Sequence, residues 1–173
     1  FDTDIWYSDW FKLNQVDWDA VSGWLICTQI HATEDVGDAG ASPIVAFEFT
    51  RSGMFLMTRT WPGASGPDEN PDSTTRFTLP SFKEDTWYRR VLRFKVNNAG
   101  AAEIQFWLDG VEVLSLTGIS IGYPDAVAPY PKFGIYSGNA MPDDSIATVV
   151  EFSNVEIGTS SLLARVDTPL DLI

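Results

Sequence analysis

Cysteine is nearly absent: Cys27 is the only one among 173 residues. An intrachain disulfide framework is therefore excluded, and packing has to hold the fold. Positive charge is scarce as well. Eleven Lys and Arg stand against 24 Asp and Glu, a net charge of −13. Such a surface repels phosphates, so a nucleic-acid partner is not expected. No apolar run approaches the roughly 20 residues of a helical membrane span. Helical periodicity is missing too; only residues 17–23 could form a short turn. No metal-ligand spacing and no internal repeat is present. The chain opens at Phe1 without an initiator Met or a signal-peptide pattern, yet FDTDIWYSDW already reads as structured sequence. The expectation is a mature or partial chain. We read one domain over 1–173, short of N-terminal strands or part of a larger protein, with 159–173 as a C-terminal extension.

What the chain does have is apolar and aromatic content, 45% and 13% respectively, including seven Trp. That composition excludes disorder. The apolar residues fall in short β-branched and aromatic runs at 24–31, 43–50, 53–60, 87–96, 102–109, 111–116, 132–136 and 147–157, separated by turn residues at 50–53, 97–100 and 109–110. Loops are expected at 32–42, 61–73 and 118–131. Eight or more strands at this spacing predict an all-β fold, a jelly-roll sandwich of two antiparallel sheets.

Period-two alternation assigns faces. In the first run it groups Trp24, Ile26, Thr28 and Ile30 against Leu25, Cys27, Gln29 and His31. In the seventh it sets Phe133 and Ile135 against Lys132, Gly134 and Tyr136. In the hairpin 87–109, Leu92, Phe94, Val96, Ile104, Phe106 and Leu108 form a core face. Opposite them lie Arg89, Arg93, Lys95, Glu103, Gln105, Trp107 and Asp109. If Phe94 faces Ile104, Lys95 faces Glu103 and Arg89 faces Asp109. The cations are then either paired and structural or available to an anionic ligand. Trp107 could stack on a sugar or lie under a loop. Cys27 reads as a small apolar filler.

Gln29 and His31 share one strand face, and Lys132 and Tyr136 share another, with Tyr130 just ahead. If the two strands are neighbours, these groups converge. An amide and a cation can neutralise a sugar carboxylate. A base, His31 or a deprotonated Tyr136, can then take the C5 proton, and an acid, most simply Tyr136, can protonate the leaving glycosidic oxygen. That is β-elimination from a uronate, and it requires no cofactor. The acidic stretch 68–72 has the hard oxygens of a structural calcium site but no spacing that indicates one.

Gln29-Ile30-His31, followed about a hundred residues later by Tyr130-Pro131-Lys132-Phe133-Gly134-Ile135-Tyr136, resembles the signature of jelly-roll polysaccharide lyases. These are the alginate lyases and the related glucuronan and heparin lyase I families. Residues 42–46, the hairpin 87–110 and the closing EFSNVEIG of 151–158 resemble the same concanavalin-like domains. The resemblance implies Gln29 as carboxylate neutraliser, His31 as base or its assistant, Tyr136 as acid and alternatively also as base, and Lys132 as a substrate contact. Those lyases also carry an upstream Arg that this chain begins too late to contain; Arg59, Arg89 or Arg93 could take its place. Pro131 replaces the usual aromatic.

Two functions from different classes follow. The first is binding, and with retained chemistry β-elimination cleavage, of an anionic uronate polysaccharide. The candidate site comprises catalytic Gln29, His31 and Tyr136 and substrate-binding Lys132, Tyr130, Arg89, Arg93 and Trp107. The alternative is a non-catalytic carbohydrate-binding or adhesion domain of a cell-surface or virion spike assembly, with other subunits as partners. Either reading places the chain outside the cell, secreted or on a virion surface.

Overall fold

A computed structural model describes residues 3–16, 18, 24–33, 42–61, 71, 73–125, 127–137 and 148–165. Ten strands appear in chain order: β1 Ile5–Gln15, β2 Leu25–His31, β3 Val45–Thr50, β4 Gly53–Thr60, β5 Ser73–Thr78, β6 Trp87–Lys95, β7 Asn97–Leu108, β8 Val111–Ile121, β9 Tyr130–Ser137 and β10 Val149–Gly158. They form two five-stranded antiparallel sheets. Sheet A runs β10-β1-β6-β7-β8 and sheet B runs β5-β4-β3-β2-β9. This is the expected β-sandwich of the jelly-roll class.

Alternation builds the core. Tyr7, Phe11 and Leu13 of β1 and Leu92 and Phe94 of β6 meet Leu25, Phe47, Phe49 and Leu56 of sheet B. Phe11 stacks on Phe49 and Phe47 tilts against Phe106, both at 5.0 Å between centroids. Each buried aromatic or aliphatic side chain contributes on the order of 2 kcal/mol. The expected β6–β7 register holds, with Phe94 opposite Ile104 and Lys95 opposite Glu103. Arg89 and Asp109 meet just beyond it, through two hydrogen bonds.

Two strands escaped the sequence reading. In β1, outward Trp6 and Trp10 are as apolar as the inward set, and Asp9 interrupts the inward row, so no clean alternation shows. In β5, STTRFT has one apolar residue, because it is an exposed edge strand needing little burial. The expected loop at 118–131 is shorter than supposed: β8 continues to Ile121 through Gly118, whose φ of +67° suits a glycine. Most of the other two expected loops, the turn at 17–23 apart from Trp18, and the acidic stretch 68–72 apart from Pro71, lie outside the described residues.

The face assignment of β2 needs correction. Leu25, Cys27 and Ile30 belong to the core, whereas Ile26 packs on the outer face with Ala46, Met57 and Trp24. The cause is a β-bulge. Ile26 pairs with Glu48 and Thr28 with Phe47, so one step of β3 faces two steps of β2. Cys27 is the extra residue, and it turns inward together with Thr28. The outer set is therefore Trp24, Ile26, Gln29 and His31. The bulge is what turns Gln29 and His31 outward.

Candidate active site

The two motif strands are hydrogen-bonded neighbours. Gln29 pairs with Lys132, His31 with Tyr130, and Ile26 with Tyr136. The sheet widens across this corner. The span covered by three residues of β3 (Ala46 to Glu48) takes four in β2 (Ile26 to Gln29) and five in β9 (Lys132 to Tyr136). The surplus opens a concave groove of about 440 Å³ on the outer face of sheet B. Trp24, just ahead of β2, lines it with Ile26, Gln29 and His31 of β2 and Lys132 and Tyr136 of β9, and Pro43 and Arg59 close it from the far side. A cleft of about 320 Å³ adjoins it between the two strands, beside Cys27 and Gly134. Gly134 has a φ of +142°, which a side chain would strain.

The groove is mixed in chemistry. Lys132 and Tyr136 are exposed, and Tyr136 is 55% accessible. Its ring leans on Trp24 at 5.5 Å. His31 and Gln29 are half-buried. The His31 ring lies 5.7 Å from that of Tyr130, and the Lys132 ammonium sits over Tyr130 at 5.2 Å. His31 Nδ1 is 2.9 Å from the Ala32 carbonyl oxygen. A carbonyl only accepts, so this contact requires a proton on Nδ1. In the neutral ring Nε2 then keeps its lone pair.

Arg59 is the groove's second cation. Its guanidinium donates to the Pro43 carbonyl at 2.8 Å. Burial pulls its pKa below the ordinary value, while Glu48 and Tyr136 oppose that pull. Arg59 and Tyr136 line the same groove. Next to Arg59, Arg76 pairs with the buried Glu48 at 3.1 Å, covering that carboxylate. Of the three arginines weighed as replacements for an upstream Arg, only Arg59 lies on this face.

Arg89, Arg93 and Trp107 lie on sheet A, across the sandwich from Gln29. The Arg89 guanidinium donates to the backbone carbonyls of Leu162, Leu163 and Arg165, where the chain folds back after β10. Arg93 pairs with Asp4 and Glu103. Trp107 stacks on Trp6 at 5.7 Å and is covered by Leu162. The structure thus brings Gln29, His31, Lys132 and Tyr136 together, with Tyr130 beside His31, and leaves Arg89, Arg93 and Trp107 elsewhere. The sequence reading missed Trp24 and Ile26 as groove residues, because the bulge hides them. It named Arg59 only as one of three, although 53–60 was already a strand and alternation from core Leu56 puts Arg59 outside.

No cluster of His, Cys, Asp or Glu among the described residues could hold a metal. Among those residues, no helix is long and apolar enough to cross a membrane.

The fold is shared with known lyases. The structure superposes on an endo-β-1,4-glucuronan lyase from the fungus Trichoderma reesei with a TM-score of 0.69 and 18% identity, over 91% of this chain and 69% of that one. An alginate lyase from Pseudomonas aeruginosa gives 0.60 and 16%, over 92% and 66%. The chain thus spans about two thirds of the length of these enzymes. The binding domain of botulinum neurotoxin serotype G also matches, at 0.54 and 9% over 92% and 34%. At such identities the likeness concerns the fold alone. No curated protein matches in sequence. A sequence profile of the family described as polysaccharide lyase matches residues 1–154, and on that match the chain belongs to the polysaccharide lyases.

Proposed function

We propose that the chain cleaves a uronate-containing polysaccharide by β-elimination in the groove of sheet B. The observation that carries the reading is the single groove holding Gln29, His31, Arg59, Lys132 and Tyr136. In this reading Gln29 and Arg59 hold the sugar carboxylate and stabilise the charge that develops when C5 loses its proton. His31 Nε2 takes that proton. Tyr136 donates its phenolic proton to the O4 leaving group. The C5–H and C4–O bonds break, a C4=C5 double bond forms, and the chain end leaves as an alcohol. Lys132 and Tyr130 position neighbouring sugars. We place the activity outside the cell, where such polysaccharides are met.

The family match and the shared fold with a glucuronan lyase and an alginate lyase support this class of substrate and make those two polymers the first to try. The test is the ultraviolet absorbance of the unsaturated uronate, followed with glucuronan, alginate, heparin and bacterial capsular polysaccharide. A rise that vanishes in Tyr136→Phe is the expected result. No rise on any polymer, with retention on one of them in an affinity gel, would replace cleavage by recognition.

A further inference from the structure

Directly beneath the groove, between the sheets, lies a charged network that the reaction scheme does not use. Arg90 is fully buried. It stands opposite Asp9 in the β1–β6 ladder and forks onto that carboxylate through Nε and Nη2. Nη2 also reaches across the sandwich and donates to Thr28 Oγ1 at 2.7 Å. Tyr7 donates to the Asp9 carboxylate at 2.7 Å. The guanidinium carbon lies over the rings of Phe11 and Phe47, at 4.3 and 4.7 Å from their centroids. Asp9, Thr28 and Tyr7 are each 1% exposed.

Removing an ion pair from water offsets most of its Coulombic gain, so such a pair is weak evidence of stability and better evidence of a register device. Its contact in sheet B is telling. Thr28 is the residue at which β2 resumes pairing after the bulge, immediately before Gln29. Regular alternation from Ile26 would send Thr28 and Ile30 outward and Gln29 and His31 into the core. The bulge reverses this, and the Arg90 fork is tied to the inward hydroxyl on which the reversal turns.

We propose that Asp9 and Arg90 act through Thr28 as positioning residues: they lock the β2 bulge and with it the outward register of Gln29 and His31. For its kinetic arm this inference rests on the reading of the groove as a lyase site. Arg90 variants could fail to fold, so the test uses Thr28→Val, which keeps the shape and loses the acceptor, Thr28→Ser, which keeps the hydroxyl, and Ile30→Val as an inner-face control on the same strand. Amide hydrogen exchange over residues 25–31 reads the bulge without reference to activity. Faster exchange confined to 26–31 in Thr28→Val, restored in Thr28→Ser and absent from Ile30→Val, is expected. In turnover, kcat should fall roughly tenfold to a hundredfold in Thr28→Val with KM little changed, as for a misplaced catalytic group, and Thr28→Ser should recover it. Unchanged exchange over 26–31 in Thr28→Val overturns the proposal, and so does a kcat loss equalled by Ile30→Val. If the unmodified protein cleaves no polymer, the lyase reading fails, while the exchange comparison still decides the role of Thr28.

Discussion

The two outer faces of the sandwich carry similar chemistry and put it to opposite ends. Sheet A presents Arg89, Arg93, Trp6 and Trp107, and sheet B presents Arg59, Lys132, Trp24 and Tyr136. On sheet A the residues are occupied by the protein itself. Arg89 binds carbonyls of the segment after β10, Arg93 has two carboxylates, and the stacked tryptophans lie under Leu162. On sheet B the widening between β3 and β9 leaves a groove lined by Trp24, Lys132, Tyr136 and Arg59, the last of these tethered to the Pro43 carbonyl. Arginine and tryptophan can meet a ligand only where backbone geometry leaves them room.

Substitutions can break or sharpen that contrast. The largest effect on turnover is expected at the two groove residues proposed to move protons. Tyr136→Phe and His31→Ala should each lower kcat by about a hundredfold to ten-thousandfold with the fold intact by circular dichroism, whereas Tyr130→Phe should cost far less. Full activity in both of the first two variants would remove the assignment. Arg59→Met comes next. Losing a charge-assisted contact to the carboxylate, worth about 1.5–3 kcal/mol, should reduce kcat/KM roughly tenfold to a hundredfold. Steady-state kinetics on the best polymer read this directly.

On the other face, Trp107→Ala should cost about 3 kcal/mol in denaturant titration, through loss of the Trp6 stack and the Leu162 contact, while the kcat of the folded protein stays unchanged. A matching loss of kcat would show that sheet A takes part in the site after all.

At neutral pH the smallest effect concerns the bulge residue. Burial raises the Cys27 thiol from 9.0 to about 12. An acid held protonated by the fold contributes stability that is complete below its unfolded pKa and is lost as pH rises through the folded value. The alkaline limb of the stability curve, between about pH 9 and 12, should therefore flatten in Cys27→Ala. Thermal melts across that range measure it, with turnover at neutral pH unaffected.

Much of the fold was legible because strand burial imposes period two on side chains. Where that pattern was present, as in 24–31, 53–60 and 87–109, the strands and the hairpin register could be read. Where Asp9 interrupted it, or where β5 had almost no apolar residue, they could not. The site was legible in part. Gln29, His31, Lys132 and Tyr136 stand at motif spacing, and their neighbourhood followed from β2 pairing with β9. Arg89, Arg93 and Trp107 were equally plausible by residue type, since nothing along the chain shows that the segment around Leu162 will cover Arg89 and Trp107, or that Asp4 and Glu103 will hold Arg93.

The amino-acid order by itself determined that this chain forms an all-β sandwich with one amide, one imidazole, a lysine and tyrosines on two strands. Residue type and alternation are local properties, and they suffice for that. The tertiary structure alone decided which face each group would take at the corner where it matters. A bulge is a mismatch between neighbouring strands, so it exists only once they pair. Here Cys27 becomes the extra residue because β3 spans the same distance with one residue fewer, and Arg90 reaches its partner only once the two sheets close over it.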